Sequence, residues 1–152
     1  MRFVFLLYFL IVFQINYSQP SILTGDWKVI SVENKNIYFD VKKDSIFLFS
    51  AFENLYSDSE IEIKQVNIDI MKNLYRNHHF FFKDKICIQS INQSSIEYNY
   101  RINQTNKTIE MLEVDSPENF EALEMPYFIK DGLLYLTIIS KSPEKFVLER
   151  IR

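Results

Sequence analysis

The chain is short of the residues that break a fold or staple it. Only 2 of its 152 residues are glycine and 4 are proline. So few breakers leave little room for long disordered linkers. With Gly25 and Gly132 alone, glycine-rich phosphate cradles are excluded. Cys87 is the single cysteine, which excludes an internal disulfide; it reads as a small apolar strand residue. His78 and His79 are the only histidines. Neighbours on a strand point to opposite faces, so the pair does not share a metal ion, and both read as surface or strand-end residues. There is no Gly-x-Ser-x-Gly or other nucleophile motif. The carboxylate pairs Glu110/Glu113, Glu121/Glu124 and Asp58/Glu60 read as solvated faces and a charged first helical turn. The net charge of −3 is scattered, without the basic stripe that nucleic acid requires. No basic amphipathic helix suits a membrane surface. From these absences we expect no catalytic residue, no metal and no cofactor.

What is present begins with a leader. Arg2 precedes an unbroken apolar run from Phe3 to Phe13, and Asn16-Tyr17-Ser18 offers a small residue before a cut that leaves Gln19 first. That is the layout of a secretory signal peptide. A spanning helix needs about 20 apolar residues, and Gln14, Asn16, Ser18 and Gln19 follow too soon. The expectation is therefore a signal peptide over 1–18 and a single exported domain over 19–152, periplasmic or secreted, with no membrane span after cleavage.

The rest of the chain alternates. Trp27 to Glu33 reads as a first strand with Trp27, Val29 and Ser31 on one face. Ile37 to Asp40 and Ser45 to Ser50 are short strands. Ser59 to Asn77 switches to helical spacing, with Ile63, Val66, Ile70 and Leu74 at steps of three and four. Ser59 with Glu62 forms a candidate capping box, and Ser57 and Asp58 are alternative caps. From His79 onward an antiparallel meander is expected. Its strands are His79 to Lys83, Ile86 to Ser90, Ser95 to Asn103, Thr108 to Val114, Phe120 to Lys130, Leu133 to Ile139 and Phe146 to Ile151. Asp131-Gly132 is the strongest hairpin signal. One helix among so many strands rules against a parallel sheet. The expected fold is all-β: an up-and-down barrel of about 8–10 strands with one early helix.

Leu23-Thr24-Gly25-Asp26-Trp27-Lys28-Val29 resembles the opening of lipocalins and fatty-acid-binding proteins; with the leader ending before Gln19, the early helix, Phe80-Phe81-Phe82-Lys83-Asp84 and the Leu148-Glu149-Arg150 finish, the chain resembles lipocalin-like proteins exported by Bacteroidota. The resemblance implies that Trp27 plugs one barrel end and that Arg150, in Leu148-Glu149-Arg150-Ile151, packs across it. The early helix departs from lipocalins, and the late Arg-x-Tyr pair of fatty-acid-binding proteins is missing.

Aromatic residues make up 16% of the chain and suit either a greasy cavity or a packed core. Tyr98 and Tyr100 share one strand face, Phe80 and Phe82 another, and Met125 and Tyr127 a third. If these six line an open barrel, the protein is a non-catalytic carrier of a small hydrophobic ligand. If they fill it, the barrel is an interaction or envelope-structural module that meets a protein partner through its outer surface. An exposed apolar patch on the helix would favour the second reading.

Overall fold

The computed structural model describes residues 22–114 and 122–151. The leader over 1–18 and the segment 115–121, with Phe120 and Glu121, lie outside the described residues. Ten strands form one antiparallel sheet: β1 (Gly25–Glu33), β2 (Ile37–Asp40), β3 (Ser45–Leu48), β4 (His78–Lys83), β5 (Ile86–Ile91), β6 (Ser94–Asn103), β7 (Thr108–Glu113), β8 (Leu123–Lys130), β9 (Leu133–Ile138) and β10 (Glu144–Arg150). Between β3 and β4 lie a one-turn helix α1 (Ser50–Glu53), a 3₁₀ turn (Asp58–Glu60) and α2 (Ile61–Arg76).

β4 to β10 run up and down, and β1 pairs with both β4 and β10, which closes an eight-stranded barrel. One edge of β1 is shared. Its first half, Gly25 to Lys28, pairs with β4, and its last three residues pair with β2. The β2–β3 hairpin thus extends the sheet beyond the barrel wall, and α2 returns the chain to β4. Lys72 and Arg76 of α2 both bond Asp44 in the β2–β3 turn, which ties the helix to that extension. The two-residue turns Asp84-Lys85 and Asp131-Gly132 connect the hairpins expected there, with Asp84, Asp131 and Gly132 at positive φ.

Three local readings need correction. The first concerns β1. A bulge between Val29 and Ser31 shifts its register against β10. The extra residue breaks the alternation, so Val32, not Ser31, follows Trp27 and Val29 into the core. The second concerns the helix start. Ser57, not Ser59, forms the capping box. The Ser57 backbone N–H donates to Glu60 Oε2 at 2.9 Å, and the Ser57 hydroxyl donates to the same oxygen at 2.7 Å. The 3₁₀ turn absorbs the offset before α2 begins. The Glu60 carboxyl is held below its usual range, first by the Ser57 backbone N–H. Ser57→Ala should therefore cost about 1 kcal/mol of stability, read from the urea midpoint at neutral pH. The third concerns β3, which stops at Leu48 because the chain turns into α1 at Ser50.

Candidate functional site

One barrel end is sealed. Trp27 is 2% exposed, and its indole N–H donates to the Leu23 carbonyl at 2.6 Å. The Arg150 guanidinium lies 4.7 Å from the centroid of the Trp27 ring and donates to the Ile22 carbonyl at 2.7 Å. The plane of the guanidinium can stack on the indole while its edge bonds the carbonyl. Antiparallel pairing of Trp27 with Arg150 puts the two residues side by side. Gly25, at φ +129°, lets the chain enter the strand against the Arg150 side chain; a Cβ there would lie 3.5 Å from Arg150 Nε.

Above this plug the barrel is packed with its own side chains. Of the six wall candidates, Phe80, Phe82 and Met125 have no accessible surface, Tyr100 is 7% exposed, and Tyr98 and Tyr127 are half-buried against the same core. All six face inward. A water-sized void beside them would leave accessible surface on its walls, and Ile109, Leu134 and Leu148 show none either. Phe82 meets Tyr100 edge-on at 5.2 Å, and Phe80 meets Phe146 edge-on at 6.1 Å, the geometry of a filled aromatic core. Cys87 is part of it, and burial pushes its thiol up to about 12, so it is unreactive.

Sequence reasoning missed one feature of that core. His78, expected at the surface or a strand end, is 2% exposed. It stacks on Phe80 at 4.8 Å and lies edge-on to Phe146 at 5.3 Å. The alternation His78, Phe80, Phe82 on β4 was the signal that could have found it. His79, on the opposite face, is half-buried and lies 3.5 Å from Asp26. The Gln89 side-chain nitrogen is 2.8 Å from His78 Nε2, while His78 Nδ1 has no partner among the described residues. An imidazolium would need two acceptors and only one group is in reach, so the ring is neutral whichever way the amide faces. Burial, then the nearby His79, drives its pKa down to about 4.

A polar tie sits next to it. Tyr75 of α2 stacks on His78, and its hydroxyl donates to Glu144 Oε1 at 2.8 Å. Asn34 donates to the same carboxylate oxygen at 3.3 Å. Burial, with the Glu144 charge second, raises the Tyr75 pKa far above the ordinary phenol value. The β1–β2 turn, the end of α2 and the start of β10 are thereby joined opposite the Trp27 plug. Near that same end, an open cleft of about 430 Å³ lies over Tyr98, Met111, Leu123 and Ile139, with Glu113 and Glu124 on its walls.

The outside of α2 differs from what an amphipathic surface helix shows. Its core side is supplied by Ile68 and Tyr75, with Met71 and Leu74 packed partly against them. The repeat Ile63, Val66, Ile70 points the other way, and these residues are 56%, 57% and 57% exposed. Ile61, at the start of the helix, is also exposed. The helix is apolar on both sides. Among the described residues no helix is long and apolar enough to cross a membrane.

No protein-family model and no curated protein matches the sequence. Among solved structures, the chain is similar to the crystal structure of a DUF4847 family protein from Bacteroides vulgatus ATCC 8482. The likeness has a TM-score of 0.52 at 14% identity and covers 87% of this chain and 97% of that one. At that identity the likeness is one of fold, a closed antiparallel barrel.

Proposed function

We propose that the protein is an exported, non-catalytic, lipocalin-like barrel that binds a protein partner through the outward apolar face of α2. The observation that carries this reading is the contrast between inside and outside. The deep inward residues Phe80, Phe82, Ile109, Met125, Leu134 and Leu148 have no accessible surface, whereas Ile63, Val66 and Ile70 form an apolar row in solvent. Residues three and four apart lie on one helix face, and seven residues span about 10 Å, two turns of helix. Such a row suits another polypeptide better than a small solute. Exposed apolar side chains that form a contiguous row mark interaction sites, whereas scattered ones do not. Export rests on the leader over 1–18.

The test is a photo-crosslinking residue placed at Val66 in the protein's own host. The expected result is one protein adduct, lost when Ile63 and Ile70 are both changed to Gln. Each of those substitutions should shift stability by less than about 0.5 kcal/mol, because neither side chain touches the core. An adduct pattern unaffected by the double substitution would overturn the reading.

One observation favours a second reading, the carriage of a small hydrophobic molecule. The open cleft has an apolar floor of Tyr98, Met111, Leu123 and Ile139, two carboxylates, Glu113 and Glu124, on its walls, and the volume of a small-ligand site. Tyr98, Met111 and Leu123 belong to or pack on the barrel core, so a ligand there would sit in the barrel mouth above the deep packed residues.

A further inference from the structure

A second groove, of about 880 Å³ and open to solvent, lies on the outer wall between the C-terminal end of α2 and the paired strands β4 and β5. We propose that it binds a neutral glycan. The inference is independent of the partner reading for α2.

The chemistry of the lining makes the case. Four side-chain amides converge there: Asn73 and Asn77 from the end of α2, Asn92 and Gln93 from the β5–β6 turn. Each amide carries an acceptor oxygen and a two-proton donor nitrogen. A sugar hydroxyl both donates and accepts, so adjacent hydroxyls need such mixed partners in one place. Ser90 and Ser94 add two hydroxyls of the same dual character. No Asp, Glu, Lys or Arg lines the groove, although such residues make up 24% of the chain. His79 is the one ionisable side chain in the lining, so an ammonium ligand would find no counter-charge there and a phosphate or carboxylate none but a protonated His79. Leu74 and Ile91 offer an apolar patch to the C–H face of a pyranose ring, and His79 completes the lining.

Asn73, Asn77 and Asn92 are tied to one another. The Asn92 backbone N–H donates to the Asn77 carbonyl at 3.2 Å, which docks the hairpin turn on the helix end. The Asn77 side chain donates to Asn92 Oδ1 at 3.3 Å and lies 3.4 Å from both side-chain and backbone oxygens of Asn73. Asn92 sits at φ +55°, a conformation that asparagine tolerates better than most side chains. His79 flanks the groove; it pairs with Ser90 across β4 and β5.

The experiment follows backbone amide NMR signals of the protein while maltohexaose, cellohexaose, laminarihexaose and mannohexaose are added separately. Oligogalacturonate and an uncharged Ser/Asn peptide serve as comparisons. The expected result is saturable shifts of Asn73, Asn77, Asn92 and Gln93 with at least one hexaose, at a Kd on the order of 1 mM. Combining Asn73→Ala with Gln93→Ala should weaken that binding at least about tenfold while the other signals stay in place. Asn77 and Asn92 are left intact because they hold the turn. Three results would each overturn the proposal: no shift in the groove with any hexaose, unchanged affinity in the double variant, or tighter binding of oligogalacturonate or the peptide than of every hexaose.

Discussion

Trp27→Ala is expected to lower stability by about 3–5 kcal/mol. Three losses combine. The indole is almost fully buried at the barrel end, so its removal leaves a cavity that the eight closed strands cannot collapse to fill. The bond from the indole N–H leaves the Leu23 carbonyl without that donor. Arg150 loses the ring it packs across, which by itself accounts for about 1 kcal/mol at a partly exposed site. Urea denaturation of the variant at neutral pH measures the sum. Trp27→Phe, which keeps most of the apolar volume but not the N–H, should fall between wild type and alanine. A loss below about 1 kcal/mol for Trp27→Ala would mean that Trp27 is not a plug.

Acid should weaken the fold well before the carboxylates are protonated, and His78 is the reason. Its folded-state pKa is about 4 against an ordinary value of 6.5. Between those values the unfolded chain holds a proton that the folded chain refuses. Unfolding therefore takes up a proton, and stability falls as pH falls. The contribution is fully present above pH 6.5 and is lost on the way down to about pH 4. The full loss is about 3–4 kcal/mol at roughly 1.4 kcal/mol per pKa unit. Asp40, Asp44 and Glu60 have lowered pKa values, held down by Lys43, Arg76 and Ser57 respectively. Their effects on stability begin only near and below the ordinary carboxylate range, so they act below the His78 window. Urea midpoints measured at intervals from pH 7.5 to 4.5 should fall steadily in the wild type. They should stay nearly flat in His78→Leu, which is uncharged at every pH. A wild-type profile that is itself flat over this window would show that the ring accepts a proton without cost.

The strands were the most legible part of the fold because each alternates over a wall with one wet and one dry face. Ile96, Tyr98, Tyr100 and Ile102 make the point. The last three do face inward, and Ile96 is 39% exposed because β6 overshoots the region where its neighbours cover it. Turns written in Asp, Gly and Lys were equally plain. The β1 bulge was not, since one inserted residue leaves no compositional trace yet exchanges Ser31 for Val32 in the core. The helix shows a different limit. Its periodicity marked a helix correctly, but a period carries no direction. Ile63, Val66 and Ile70 repeat at the same steps of three and four as Ile68, Met71 and Tyr75, and only the second set faces the barrel. His78 was hidden by its residue type, because histidine is intermediate between the buried and the exposed types and gives no direction of its own. The groove amides come from α2 and from a turn about fifteen residues further on, and only the docking of Asn92 on Asn77 unites them.

The central claim is that the barrel is filled and works from its outside. Native mass spectrometry of the protein purified from its own host tests it most directly. The account predicts the mass of the polypeptide without a stoichiometric apolar small molecule. One such molecule per chain, released when the protein is denatured, would contradict it and make the protein a carrier.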